Sequence, residues 1–205
     1  RAFNVVLILF TTLYFIGSSV IIRMDILMAM FIVKTLFCFY NIIENNEEKY
    51  YLPYIFMGTG FLIKGLAAVF IPLSAILLYL FITKQKQKIK SLHLLKGLGI
   101  ILLFLLLWFI PLILSLGFKN TVNELFLKQT VNRVVNATTH KKPIYYYLVN
   151  LVVNLFPWMF FFFAGFILIL FKIRKQDKIL SFALSWFLAP FIIFSLVSSK
   201  LDIYL

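Results

Sequence analysis

The stretch "GTGFLIKGLAAVFIPL", residues 58–73, is apolar apart from one lysine, and it holds three of the chain's 8 glycines. An ammonium group is among the most costly to place in such surroundings. A glycine follows Lys64 directly. Two local readings stand side by side. Lys64 either snorkels, with its stem in hydrocarbon and its charge at the interface, or points inward at a phosphate or carboxylate. In both, two helices meet near Lys64-Gly65 at a membrane boundary. Gly58, Gly60 and Gly65 would let the flanking helices pack as a tight hairpin.

The rest of the composition fits a membrane setting. Of 205 residues, 63% are hydrophobic and 25 are Phe, and the mean hydropathy is +1.01. A chain this short cannot bury so much apolar surface in water. The net charge is +13, from 20 Lys and Arg against 7 Asp and Glu. The basic residues sit in short gaps between apolar runs and are divided between two faces. That argues for topology signals and anionic lipid headgroups as partners, and against nucleic acid. The single cysteine, Cys38, reads as a small buried hydrophobe. The chain opens on Arg1 and enters an apolar run at once, so it reads as an internal piece of a longer membrane protein.

A helix needs about 20 apolar residues to cross the hydrocarbon. Seven candidate spans follow, at about 3–20, 25–43, 50–62, 65–83, 97–115, 146–171 and 179–197. The predicted fold is all-α, a polytopic bundle. The loops "TKQKQKIKSLHLLK" (83–96) and "FKIRKQDK" (171–178) are lysine- and arginine-rich, so both fall on the cytoplasmic side. Alternation adds the acidic segment "ENNEEK" (44–49) to that side. The opposite, outer face then carries "RMD" (23–25), Lys64, the polar loop 116–145 and the final "SSKLDIYL".

The outer face is the place for chemistry. Arg23 and Asp25 begin a span, where a carboxylate can orient substrate, pair with a base or simply favour the helix dipole. The long loop brings Lys128, Arg133, His140, Lys141 and Lys142, and Tyr145, Tyr146 and Tyr147 then open the sixth span as an aromatic belt or a sugar-stacking surface. His140 stands alone, so no metal site is assigned. "NAT" (136–138) is a short glycosylation pattern of little weight. Pro157 should kink or interrupt the sixth helix. Lys34 lies mid-span and should face other helices or a polar cavity. No Walker loop, GxGxxG or GxSxG is present.

Together these pieces resemble the GT-C superfamily of polyprenyl-phosphate-sugar-dependent glycosyltransferases, with protein O-mannosyltransferases and lipid A aminoarabinose transferases as relatives. "GTGFLIKGLAAVFIPL" is similar to their "GLAFLTKGP…LP" stretch, and "RMD" to their R-x-D element. "NELFLKQTVNRVVNATTHKKPIYYYLVNLVVNLFPW" resembles their outer loop, and "FLAPFIIFSLVSSKLDIYL" their "FFSxxxSKLPxYxLP" segment. The motifs occur in the same order over nearly the whole chain. Departures are Leu66 for the proline after Lys-Gly, "WFIP" (108–111) for Pro-Trp before the loop, and Asp202 after "SKL".

The resemblance implies that residues 1–205 are part of one transmembrane glycosyltransferase domain. The catalytic first outer loop and the C-terminal region would lie outside it. The enzyme would move a hexosyl or pentosyl group, with inversion, from an undecaprenyl or dolichyl phosphate carrier to a lipid, glycan or protein. Lys64, Arg133, Lys200 and Tyr204 match positions that hold the carrier phosphate. Asp25 matches an acidic element that positions substrate, and Arg23, His140 and Tyr146 fall in the substrate region. The general base would lie upstream of Arg1. No cofactor is assigned, and a divalent metal stays compatible. The implied location is a bacterial inner membrane with the site facing the periplasm or exterior. The rival class is a lipid-linked sugar transporter or flippase, for which polar residues through several spans and repeated halves would be expected.

Overall fold

The computed structural model describes residues 2–20, 24–118, 143, 145–172 and 177–196. Every apolar run predicted as a span is mostly helical within them. The helices are α1 (Ala2–Thr11), α2 (Leu13–Val20), α3 (Met24–Glu44), α4 (Tyr51–Lys64), α5 (Ala67–Ile82), α6 (Leu94–Leu116), α7 (Tyr146–Asn154), α8 (Met159–Lys172) and α9 (Lys178–Leu196). A 3₁₀ segment, Lys86–Leu92, links α5 to α6.

By length and composition, three of these can cross a membrane: α3, α6 and α9 from Lys178 to Ser195. The bent pair α1–α2 makes a fourth if it counts as one span. With 14 and 16 residues, α4 and α5 are about 21 and 24 Å long, short of the ~30 Å hydrocarbon thickness. They form the expected hairpin. Its glycines divide the work differently from the prediction. A Cβ on Gly60 would lie 2.8 Å from that of Ala68, so Gly60 allows the α4–α5 approach. Gly58 instead faces α6.

The core is shared by α3, α4 and α5, around Leu36, Phe39, Ile43, Met57, Ile76 and Tyr79. In a membrane, apolar area alone does not drive helices together, and small residues that permit close approach matter more. The α4–α6 contact shows this. Tyr54 of α4 fills the space left by Gly97 of α6, where a Cβ would come within 2.1 Å of its ring. Phe104 of α6 fills the space left by Gly58 of α4, where a Cβ would come within 2.5 Å. The Tyr54 hydroxyl donates to the Leu92 carbonyl at 2.6 Å, which fixes the ring and the 3₁₀ segment together.

Two predicted spans are broken. Thr11 and Thr12 donate their hydroxyls to the carbonyls of Leu7 and Ile8, both at 2.7 Å. Such back-bonding competes with the backbone ladder and bends helices. Here α1 and α2 meet at 70°. The second break, at residues 155–158, contains Pro157 as expected. The breaks touch each other. The Leu13 N–H donates to the Phe156 carbonyl at 3.1 Å, and the Trp158 indole N–H donates to the Thr11 hydroxyl at 2.9 Å. Non-helical backbone at membrane depth needs such partners.

One end of the bundle gathers the loops predicted to share a side. The carboxylate of Glu44 is 4% exposed and is ion-paired with Lys178. It also accepts hydrogen bonds from the Tyr79 hydroxyl at 2.8 Å and the Gln85 amide at 3.2 Å. Lys88 donates to the Ile43 carbonyl. Glu44 is therefore an interior tie between α3, α5 and α9, which explains an acid among basic loops. Cys38 is half-buried and not a core residue. Lys34 turns to the exposed face of α3. Its ammonium lies over the Phe56 ring of α4, so it borders a neighbouring helix as expected, with no polar partner among the described residues.

Gly97→Ala is expected to lower stability by about 1–3 kcal/mol, because the pinned Tyr54 ring cannot withdraw. Gly99→Ala, with nothing within 4 Å, should lose none. Thermal unfolding of the detergent-solubilised variants measures the difference.

Candidate functional site

The end of the bundle opposite Glu44 carries the charged pair. Asp25 lies in the first turn of α3 and Lys64 ends α4. Helix dipoles favour an anion at the first position and a cation at the second. The two helices are antiparallel neighbours, so these ends meet, and the Lys64 ammonium is ion-paired with the Asp25 carboxylate. Their side chains are 28% and 23% exposed. The pair is thus partly withdrawn from solvent yet within reach of a ligand.

Lys64 falls between the third and fourth predicted spans, and the structure makes it the last residue of α4. The reason is Gly65. Its φ of +89° is a conformation that L side chains rarely adopt, and its N–H caps α4 by donating to the Phe61 carbonyl at 2.7 Å. A Cβ here would meet nothing within 4 Å. Gly65 is required by backbone geometry, not by the close approach that the sequence suggested. One turn before Lys64, Phe61 packs edge-to-face against Trp108 of α6, with ring centres 6.2 Å apart. An aromatic wall from "WFIP" therefore lies beneath the ion pair.

Asp25 and Lys64 are the two predicted site residues that the structure brings together. Tyr146 opens α7, and its ring packs against Tyr147 at 5.5 Å. Tyr147 is fully buried, while Tyr145 is exposed. The three tyrosines therefore have different surroundings and do not act as one belt. Arg23, Arg133, His140, Lys200 and Tyr204 lie outside the described residues. Among the described residues, no three His, Cys, Asp or Glu side chains gather as a metal-binding group.

The family model described as dolichyl-phosphate-mannose-protein mannosyltransferase matches residues 1–111. The chain belongs to this family. The match takes in the R-x-D element, both residues of the ion pair and the hairpin. An uncharacterized protein of Aquifex aeolicus is 26% identical over 200 residues, covering 97% of this chain and 38% of that protein. The undecaprenyl phosphate-alpha-4-amino-4-deoxy-L-arabinose arabinosyl transferase of Yersinia pestis (strain Pestoides F) is 28% identical over 202 residues, covering 96% and 35%. The chain thus spans little more than a third of these relatives.

The same fold occurs in solved structures. ArnT from Cupriavidus metallidurans bound to undecaprenyl phosphate gives a TM-score of 0.73 at 20% identity, over 89% of this chain and 34% of that one. Its apo form gives 0.62 at 19% identity, over 89% and 33%. The mannosyltransferase-family chain is therefore a GT-C membrane-helix bundle, as the sequence resemblance implied.

The sequence reading missed Trp158–Thr11 and the Glu44 tie. Only Pro157 hinted at the first, and the excess of acid in "ENNEEK" at the second. For the hairpin apex the outcome is sharp. Gly65→Ala should destabilise the protein by about 1–3 kcal/mol despite the open space beside it, through its left-handed backbone. A thermal-melt comparison with wild type checks this.

Proposed function

We propose that this chain is part of a membrane glycosyltransferase that takes a sugar from a polyprenyl phosphate carrier, and that Lys64 holds the carrier phosphate. The observation that carries the reading is the Lys64–Asp25 pair at the apex of the α4–α5 hairpin, in a chain of this family and fold. Asp25 holds the ammonium in place. An arriving phosphate offers a stronger acceptor, and Lys64 then shares its donors between the two anions.

In the reaction, an acceptor oxygen attacks the anomeric carbon from the face opposite the carrier. The new oxygen–carbon bond forms as the bond to the phosphate oxygen breaks, and that oxygen leaves with the electron pair. The configuration inverts. Lys64 stabilises the negative charge growing on the phosphate. Asp25 orients Lys64 and substrate, and the acceptor proton goes to a base outside the described residues. Arg133, Lys200 and Tyr204 complete the phosphate site, with Arg23, His140 and Tyr146 on the substrate side. The sugar is a hexose or pentose, and the acceptor a lipid such as lipid A, a glycan or a protein. The site faces the periplasm or exterior of a bacterial inner membrane.

The paired helix breaks would also suit a lipid-linked sugar transporter, since such proteins use discontinuous helices at mid-membrane. Family membership and the clustering of charge at the helix ends favour the transferase. In full-length protein, Lys64→Ala should lower kcat/KM for the polyprenyl-phosphate sugar by about 10²–10³-fold with normal insertion, and Lys64→Arg should retain part of it. Radiolabelled sugar transfer measures both, and undiminished transfer by Lys64→Ala would remove Lys64 from the site. For the orientation, a cysteine placed at Lys64 should react with an impermeant reagent from outside, and one at Lys88 should not. Reaction of both from one side would overturn the topology.

A further inference from the structure

Lys34 is a mid-span charge that the proposed site does not use. It lies ten residues from each end of α3, about 15 Å along the axis either way, too deep for its stem to snorkel out along the helix. Its ammonium sits 5.7 Å from the centre of the Phe56 ring and 6.0 Å from that of Phe31. No ion pair or hydrogen bond reaches it from the described residues. Aromatic faces attract a cation weakly and do not neutralise it.

The surrounding surface has a helical period. Ile26, Met30, Val33 and Phe37 are exposed and fall on one stripe of α3, with Leu27 beside them. Lipid tails alone would suit such a stripe, but they would not suit a lysine at its edge at mid-depth. The face is complementary to an apolar helix with one anionic group at mid-depth.

We propose that this face docks a further membrane helix of the same polypeptide, and that an Asp or Glu on that helix pairs with Lys34. The aligned relatives are long enough to supply it, since the matched region is 38% and 35% of their lengths. An intramembrane lysine and carboxylate stabilise each other only when both are present, and loss of one leaves the other buried and unpaired. Lys34 then fixes the angle at which the rest of the protein meets the α3–α4 unit. The inference does not depend on the role given to Lys64.

The test uses the full-length protein in nanodiscs of zwitterionic lipid. A photo-crosslinking amino acid replaces Phe37, on the same stripe, and leaves Lys34 intact. Mass spectrometry should find an intramolecular crosslink to an apolar segment containing Asp or Glu. Lys34→Met should lower the melting temperature by several degrees, and neutralising the crosslinked acid in the same protein (Asp→Asn or Glu→Gln) should restore it. Crosslinking to lipid only, or to a separate polypeptide, would overturn the proposal. So would an unchanged melting temperature for Lys34→Met.

Discussion

The antiparallel contact between α3 and α4 is the constraint on which the molecule depends. It brings a helix N-terminus beside a helix C-terminus, and at that junction Asp25 and Lys64 are each placed where the backbone dipole favours their charge. Reversing either helix would put like partial charges together and separate the residues. The apex glycine then has to turn the chain immediately after Lys64, and its positive φ does so without moving the lysine from the last turn. The pair owes its position to the helix ends, and the helix ends owe theirs to the turn.

The bundle is held by different means at its two ends and in its middle. At one end a nearly buried carboxylate collects donors from three elements. In the middle, aromatic rings occupy glycine-sized gaps on the facing helix. At the other end the ion pair is only partly covered. Coverage thus falls toward the end assigned to chemistry, where an incoming anion must compete for a cation.

Much of this was legible in the sequence, and the failures have physical causes. Apolar runs separated by charge marked the helices, because hydropathy is a strong signal in a membrane chain. Lys64 and Asp25 fell on one face by simple alternation of spans. The elbow at Thr12 was not legible, because two threonines are tolerated in straight helices as well as bent ones. Gly97 looked like a helix-start residue, since the ring that fills its gap is 43 residues away in the chain. Glu44 looked like a loop acid, since its partners come from two later helices. Lys34 borders α4 as a mid-span charge should, but through the Phe56 ring, a contact that hydropathy does not announce. Pairings between distant segments are what hydropathy does not encode.

The contact between the two broken helices joins segments far apart in the chain. The N–H of Leu13 finds its acceptor on Phe156, and Thr11 its indole donor on Trp158. Those partners leave the ribosome more than a hundred residues later. Until then an elbow at Thr12 would hold an open backbone donor in a medium that offers no water. An elbow at Thr12 is therefore fully satisfied only once residues 156–158 stand beside it.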